Sequence, residues 1–160
     1  MKNQIILFLL TALFLVSCSS DPALETSQTK EAFDGTGWPK KWKLIEMSGN
    51  ISTMPPQRGS DMSWQEWYVL YPNNTFNKTR ERDGATTQVK GTYSIIINEH
   101  ERFIEFRHEF DNPLIGNCTD ELAELLSMRG ESRLIGTWLN CDGPGLIYEQ
   151  VKCDCPQEMP

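Results

Sequence analysis

The stretch from Trp64 to Asn98 constrains the fold more than any other part of the chain. Three runs rich in aromatic and β-branched residues (64–71, 75–82 and 86–97) are separated by Pro72-Asn73-Asn74 and by Asp83-Gly84. Runs of this composition between Pro, Asn, Asp and Gly are typical of an antiparallel meander. In the third run, alternate residues from Thr87 to Ile97 share one face. The stretch therefore predicts three consecutive antiparallel strands.

Further strands are predicted on both sides of this meander. Trp42–Met47 is a first strand, and three more follow the meander: 102–110, 133–140 and 146–152. Thr119–Met128 fits a helix or a strand, and we favour a strand because a turn and a clear strand come next. Asn, Pro and Gly residues exclude regular structure from Gly49 to Ser63, which is either a functional loop or a solvated connection. The sequence predicts an all-β, antiparallel up-and-down barrel or barrel-like sandwich of 7–8 strands.

The N-terminus has the features of a secretory signal. Lys2 precedes an apolar run, Ile5–Val16, that is too short to cross about 30 Å of hydrocarbon. The run ends in Leu15-Val16-Ser17-Cys18, which resembles the bacterial lipobox, where the Cys is diacylated after cleavage of the preceding peptide bond. Residues 1–17 are therefore expected to be a lipoprotein signal peptide, with Cys18 as the lipid anchor, palmitate as one of its acyl chains and the bilayer as its partner.

The rest of the chain divides into a tether, a domain and a tail. Residues 18–37 are polar and predicted to be a flexible tether, 38–156 form the β-domain, and 157–160 are a tail. The formal charge of −7 falls to −8 without Lys2, so no nucleic-acid partner is expected. Ser19, rather than an Asp, follows the anchor, which favours the outer membrane, on its periplasmic or cell-surface face.

Four cysteines remain after the anchor. An even number outside the cytosol suggests two disulfides, for which three connectivities exist. A hairpin centred near Gly130 and Glu131 would bring Cys118 close to Cys141, so this pairing is favoured. Cys153 and Cys155 would form a local disulfide, remain thiols, or form a redox or soft-metal site. We expect no metal there, because no His or further Cys lies nearby in the sequence.

Charged residues give no sign of catalysis. The only histidines are His100 and His108, and His108 shares its strand face with apolar residues, as a packed or rim residue would. No known catalytic motif is present, so we expect neither an enzyme nor a cofactor. Lys78, Arg80 and Arg82 alternate on one face. Turned inward they would make an anion site, but we expect them to face water, because Lys and Arg are rarely buried without partners.

Several of these features together resemble a known family. They are the lipobox, the polar tether, Trp42-Lys43-Leu44, Asn73-Asn74-Thr75-Phe76, Gly91-Thr92-Tyr93 and Cys141-Asp142-Gly143-Pro144. Over residues 38–152 the chain looks like the small lipocalin-like lipoproteins of Gram-negative bacteria, which are calycin-like small barrels. The resemblance implies a barrel with one open end and an apolar cavity, without implying a particular ligand.

Two functions remain open at this level. In the first, the protein carries a small hydrophobic ligand in the cell envelope, with the loop Gly49–Ser63 as its lid. The residues expected to line the cavity are Trp67, Val69, Tyr93, Ile95, Phe106 and Trp138. In the second, the same residues fill the barrel, and the protein is a structural or protein-interaction module. Small barrels of about eight strands occur in both forms.

Overall fold

The computed structural model of the protein describes residues 37–49 and 54–155. The predicted signal peptide, Cys18, nearly all of the tether and the tail lie outside the described residues. Within the described ranges there are nine strands, and two 3₁₀ turns at Gly59–Asp61 and Trp138–Cys141. The strands are β1 (Lys40–Ser48), β2 (Gln57–Arg58), β3 (Gln65–Leu70), β4 (Thr75–Arg82), β5 (Ala85–Ile97), β6 (Arg102–His108), β7 (Ala123–Arg129), β8 (Arg133–Gly136) and β9 (Gly145–Val151).

Eight of these strands close into a barrel. From β3 to β9 each strand pairs antiparallel with the next, while β1 pairs with β3 on one side and β9 on the other. The short β2 adds to β1 beyond the end of β3. A register shift between Leu44 and Glu46 marks a β-bulge, the device that lets a strand bend around a barrel. The prediction of an all-β antiparallel barrel is confirmed.

The turns fix which residues face each other inside the barrel. Asp83 (φ 51°) and Gly84 (φ 77°) both have positive φ, as a two-residue type I′ hairpin requires. This turn places Lys78 opposite Val89, and the preceding hairpin places Tyr68 opposite Lys78. The turn residues seen in the sequence therefore set the register of β3, β4 and β5.

Three sequence predictions about elements can be compared with the structure. Residues 123–129 form β7, so the preference for a strand within Thr119–Met128 is confirmed. The exclusion of regular structure from Gly49–Ser63 is wrong, because β2 and a 3₁₀ turn lie there and Arg58 bonds Glu46. The predicted strand 133–140 ends at Gly136, where the chain turns into Trp138–Cys141.

Aromatic rings fill the middle of the barrel. Tyr68 stacks on Phe106 with ring centroids 4.3 Å apart, and Phe76 meets Phe106 edge-on at 4.9 Å. Tyr148 approaches Tyr68 at 5.2 Å. All four side chains are at most 1% exposed. Ring pairs at these distances stabilise a core beyond the area they bury.

The two ends of the barrel differ in what they carry. At the terminal end the chain enters β1 at Lys40 and leaves β9 at Val151, and the turns there are short: 71–74, 98–101 and 130–132. At the loop end are the two-residue turn 83–84 and three longer connections, 49–64, 109–122 and 137–144.

Candidate functional site

A cluster of charged side chains lies inside the barrel toward the loop end. It consists of Glu66 on β3, Lys78 and Arg80 on β4, His108 at the end of β6, and Glu124 on β7. Period-two alternation places each on the inner face, because Glu66 shares its face with Tyr68, and Lys78 with Phe76. Burying charges is costly unless each is paired.

Lys78 is the centre of this cluster and is fully buried. Its Nζ donates to the Leu114 carbonyl at 2.5 Å and to both Glu124 oxygens at 2.9 Å, and lies 3.2 Å from Glu66 Oε1. An ammonium has three protons to donate, and acceptors surround it here. The same Nζ lies 4.9 Å from the centroid of the Tyr68 ring, a favourable cation–π distance. Lys78 therefore ties β4 to β3, β7 and the loop 109–122.

Glu66 is equally well satisfied. Its Oε2 accepts from Arg80 Nε, and its Oε1 accepts from the Tyr148 hydroxyl. Arg80 also donates through Nη1 to the Pro113 carbonyl at 3.1 Å. Lys78 and Arg80 thus balance Glu66 and Glu124, and the cluster with a neutral His108 carries no net charge.

The tautomer of His108 follows from its neighbour Asn112. The amide of Asn112 is oriented by two backbone groups, because Nδ2 donates to the Phe110 carbonyl at 2.9 Å and Oδ1 accepts from Leu114 N at 3.0 Å. Asn112 Nδ2 also faces His108 Nδ1 at 3.2 Å, so Nδ1 is an acceptor. The ring proton is then on Nε2, which donates to Glu124 Oε1 at 2.7 Å.

Burial and pairing shift several pKa values in the cluster. Desolvation raises the pKa of Tyr68 and Tyr148 well above the usual value, and the carboxylates of Glu124 and Glu66 add to the rise. Burial alone would also raise the pKa of Glu124, but the charge of Lys78 and the hydrogen bond from His108 outweigh it and lower this pKa. The Tyr68 hydroxyl donates to Glu124 Oε2 at 2.7 Å, so both tyrosines are neutral donors and Glu124 is a carboxylate.

The loop 109–122 covers the cluster. Leu114 is 2% exposed, and the carbonyls of Pro113 and Leu114 accept from Arg80 and Lys78. Cys118 is at disulfide distance from Cys141, with Cα atoms 5.6 Å apart, which joins this loop to the 3₁₀ turn 138–141. Gly116 packs on the Trp138 ring so closely that a Cβ at residue 116 would lie 2.7 Å from Cε3. The loop is thus held from inside by cations and from outside by a disulfide.

The expectation that Lys78, Arg80 and Arg82 face water is wrong for the first two. Lys78 is fully buried and the Arg80 side chain is 11% exposed, whereas that of Arg82 is 58% exposed. Buried carboxylates on β3 and β7 supply the partners whose absence would have kept these cations outside. The sequence held one signal for this arrangement: the hairpin that puts Phe76 inside places Glu66 directly opposite Arg80.

The residues predicted to line a cavity do not all share one face. Tyr93, Ile95 and Phe106 are on the inner face, with Tyr93 opposite Phe106 and Ile95 opposite Ile104. Trp67 and Val69 lie on the outer face of β3, where Lys41 Nζ is 4.8 Å from the Trp67 ring centroid. Trp138 is in the 3₁₀ turn at the loop end and packs against the core.

Cys118 and Cys141 have the pairing favoured from the sequence, and Cys153 lies near Cys155, with Cα atoms 5.0 Å apart.

The fold and site together define a closed antiparallel eight-strand barrel with an internally neutralised charge cluster. No protein-family model matches the chain, and neither a curated protein nor a solved structure matches it. In residues 37–49 and 54–155, no helix has the length and apolar character to cross a membrane. Those same residues hold no group of three or more His, Cys, Asp or Glu side chains arranged to bind a metal.

Proposed function

We propose that the protein is a lipid-anchored envelope lipoprotein of the lipocalin-like kind, held by Cys18, whose barrel is filled and works as a non-enzymatic interaction module. Of the two functions that the sequence leaves open, this is the second. The single observation that carries it is the packing of the interior, where Tyr68, Phe76, Phe106 and Tyr148 are in ring contact and at most 1% exposed.

The charge cluster supports the same proposal. A carrier of apolar ligands would need the rings to move apart, and a carrier of anions would need a cation that is not already neutralised. Lys78 and Arg80 are paired with Glu66 and Glu124, so an added anion would meet no net positive charge. Catalysis by Lys78, Glu66 or Glu124 would need access for a substrate, but their side chains are at most 4% exposed.

The membrane location rests on the sequence and on where the chain enters the barrel. The lipobox-like Leu15-Val16-Ser17-Cys18 lies upstream of the barrel, whose first strand begins at Lys40. Metabolic labelling with palmitate tests this directly. The protein should incorporate label and a Cys18→Ala variant should not. Equal labelling of both would contradict a lipid anchor at Cys18.

Native mass spectrometry of the protein purified from its host tests whether the barrel carries a ligand. Once the acyl chains are accounted for, a filled barrel predicts a single mass with no additional bound molecule. A reproducible extra mass that is lost in a folded Tyr93→Ala variant would support the carrier instead, because Tyr93 faces the interior and is 5% exposed.

A further inference from the structure

The loop end of the barrel carries all three of the large apolar side chains that are exposed among the described residues. Phe110 (55% exposed) is in the loop 109–122, Leu139 (45%) is in the turn 138–141, and Met54 (64%) lies in the connection from β1 to β3. The disulfide Cys118–Cys141 joins the first two segments. Large apolar side chains left exposed at the same end of the barrel are the ones that a partner could cover.

Charge is also distributed unevenly between the two ends. The loop-end surface comprises residues 54–64, 83–84, 109–122 and 137–144 with the strand residues that border them. Its charged residues are Asp61, Asp83, Glu109, Asp111, Asp120, Glu121 and Asp142 against Arg58 and Arg82, a formal charge of −5, and all seven carboxylate residues are exposed. The terminal end, defined in the same way, has Glu99, Glu101, Glu131 and Asp154 against Lys40, Arg102, Arg129, Arg133 and Lys152, a formal charge of +1.

We infer that the loop-end surface is a docking site for a basic, apolar segment of a partner protein. The partner's Lys and Arg side chains would face the carboxylates of the loop 109–122, and its apolar side chains would cover Phe110 and Leu139. Complementary charge speeds encounter and fixes orientation, while buried aromatic anchors provide most of the affinity. The inference rests on the proposed function and names the surface that the interaction module uses.

Charge complementarity selects this partner over two other occupants. An anionic bilayer would be repelled by a surface of charge −5, and a second loop-end surface would be repelled equally. The position of the first strand agrees with this choice, because β1 begins at the terminal end of the barrel. Any anchor that precedes β1 in the chain therefore joins the barrel at the end opposite the loop-end surface.

The test measures the affinity of the full chain for a fluorescent peptide of alternating lysine and leucine. A triple variant, Asp111→Asn, Asp120→Asn and Glu121→Gln, should weaken binding about tenfold, and so should Phe110→Ser. The matched control removes three carboxylates from the terminal end (Glu99→Gln, Glu101→Gln and Glu131→Gln) and should change the affinity less than about twofold.

Three results of the peptide measurements would overturn the inference. These are equal weakening by the two triple variants, no weakening by Phe110→Ser, or equal binding of a control peptide with glutamate in place of lysine. Near-ultraviolet circular dichroism checks that each variant is folded. Binding to phosphatidylglycerol vesicles that is lost with Phe110→Ser would instead assign the surface to a membrane and would also contradict the inference. A ligand found in the barrel by native mass spectrometry would refute the proposed function but would not change which residues bind the peptide. Failure of the proposed function and failure of this inference can therefore be distinguished.

Discussion

Lys78 shows how a single residue organises the interior of this barrel. Within residues 37–49 and 54–155 it is the one cation that contacts both buried carboxylates, Glu66 and Glu124, as well as the carbonyl of Leu114. A buried pair is weak evidence of net stabilisation, because desolvation offsets much of the attraction. Removing one partner is different, since it leaves charges buried without a counterion.

Replacing Lys78 by Met is therefore expected to lower the free energy of unfolding by about 3–5 kcal/mol. Urea denaturation measures this change. Lys90→Met is the matched control: Lys90 is exposed on β5 and lies 3.6 Å from Glu109, so its loss should cost less than about 1 kcal/mol. A loss below about 1 kcal/mol for Lys78→Met would mean that the cluster is not buried as described.

Buried tyrosines predict how stability changes at alkaline pH. Burial raises the pKa of Tyr68, Tyr93 and Tyr148, so these hydroxyls keep their protons in the folded state beyond the pH at which they ionise in the unfolded chain. Their contribution to stability is complete below the unfolded pKa of about 10 and falls as the pH rises above it. The protein has four tyrosines. The tyrosinate absorbance of these three should therefore appear only when the near-ultraviolet circular dichroism signal of the folded protein is lost. Reversible ionisation of all four in the folded protein would contradict this.

Sequence reasoning reached some of these residues and missed others for a clear reason. Alternation along β5 and β6 placed Tyr93 and Phe106 inside. The same alternation places Lys78 beside Phe76, but the rarity of unpaired buried lysine argued against it. Glu124, whose carboxylate pairs with Lys78 inside the barrel, lies 46 residues from Lys78 in the chain. No local pattern identifies such a partner before the strands are arranged.

At the scale of elements, the loop 109–122 depends on a disulfide and on hydrogen bonds to the interior. Replacing Cys118 and Cys141 by Ser should destabilise the protein by about 3 kcal/mol, because the bond closes a loop of about two dozen residues in the unfolded chain. It should also speed hydrogen exchange at the Leu114 amide, which now donates to Asn112 Oδ1.

The second cysteine pair offers the control for this experiment. Cys153 and Cys155 enclose a single residue after the last strand, so replacing both by Ser should leave the urea midpoint and the Leu114 exchange rate nearly unchanged. Similar losses of stability from the two double variants would contradict the special role of Cys118–Cys141 in holding the loop.

Strands and hairpins were predictable from the sequence where turn-forming residues or a clear alternation of apolar and polar residues mark them. Asp83-Gly84 and Pro72-Asn73-Asn74 mark hairpins by their backbone requirements, and the structure has hairpins at both. The two-residue β2 was not predictable, because its pairing to Glu46 and Met47 depends on how β1 bends after its bulge. The early end of β8 likewise reflects tertiary packing of Trp138 rather than any breaker before Gly136.

For the whole molecule, closure is the feature that local patterns predict least directly. Pairing of β1 with β9 joins the two ends of the domain and leaves the barrel without an open edge on that side. Strand number and short turns predict a barrel or a barrel-like sandwich, and no local pattern chooses between the two. Whether the interior is filled depends on side chains contributed by strands far apart in the chain.

Packing of the barrel by the protein's own side chains is the basis of the proposed function. It is tested by titrating the full chain carrying Cys18→Ala with benzene and following the chemical shifts of the methyl groups around Phe106. The native interior should show no saturable shift, whereas Phe106→Ala, or the milder Phe106→Leu if the first variant is unstable, should bind benzene in the cavity it creates. Saturable binding to the native chain, with shifts at Ile95 and Ile104, would show a hollow barrel and contradict the proposed function.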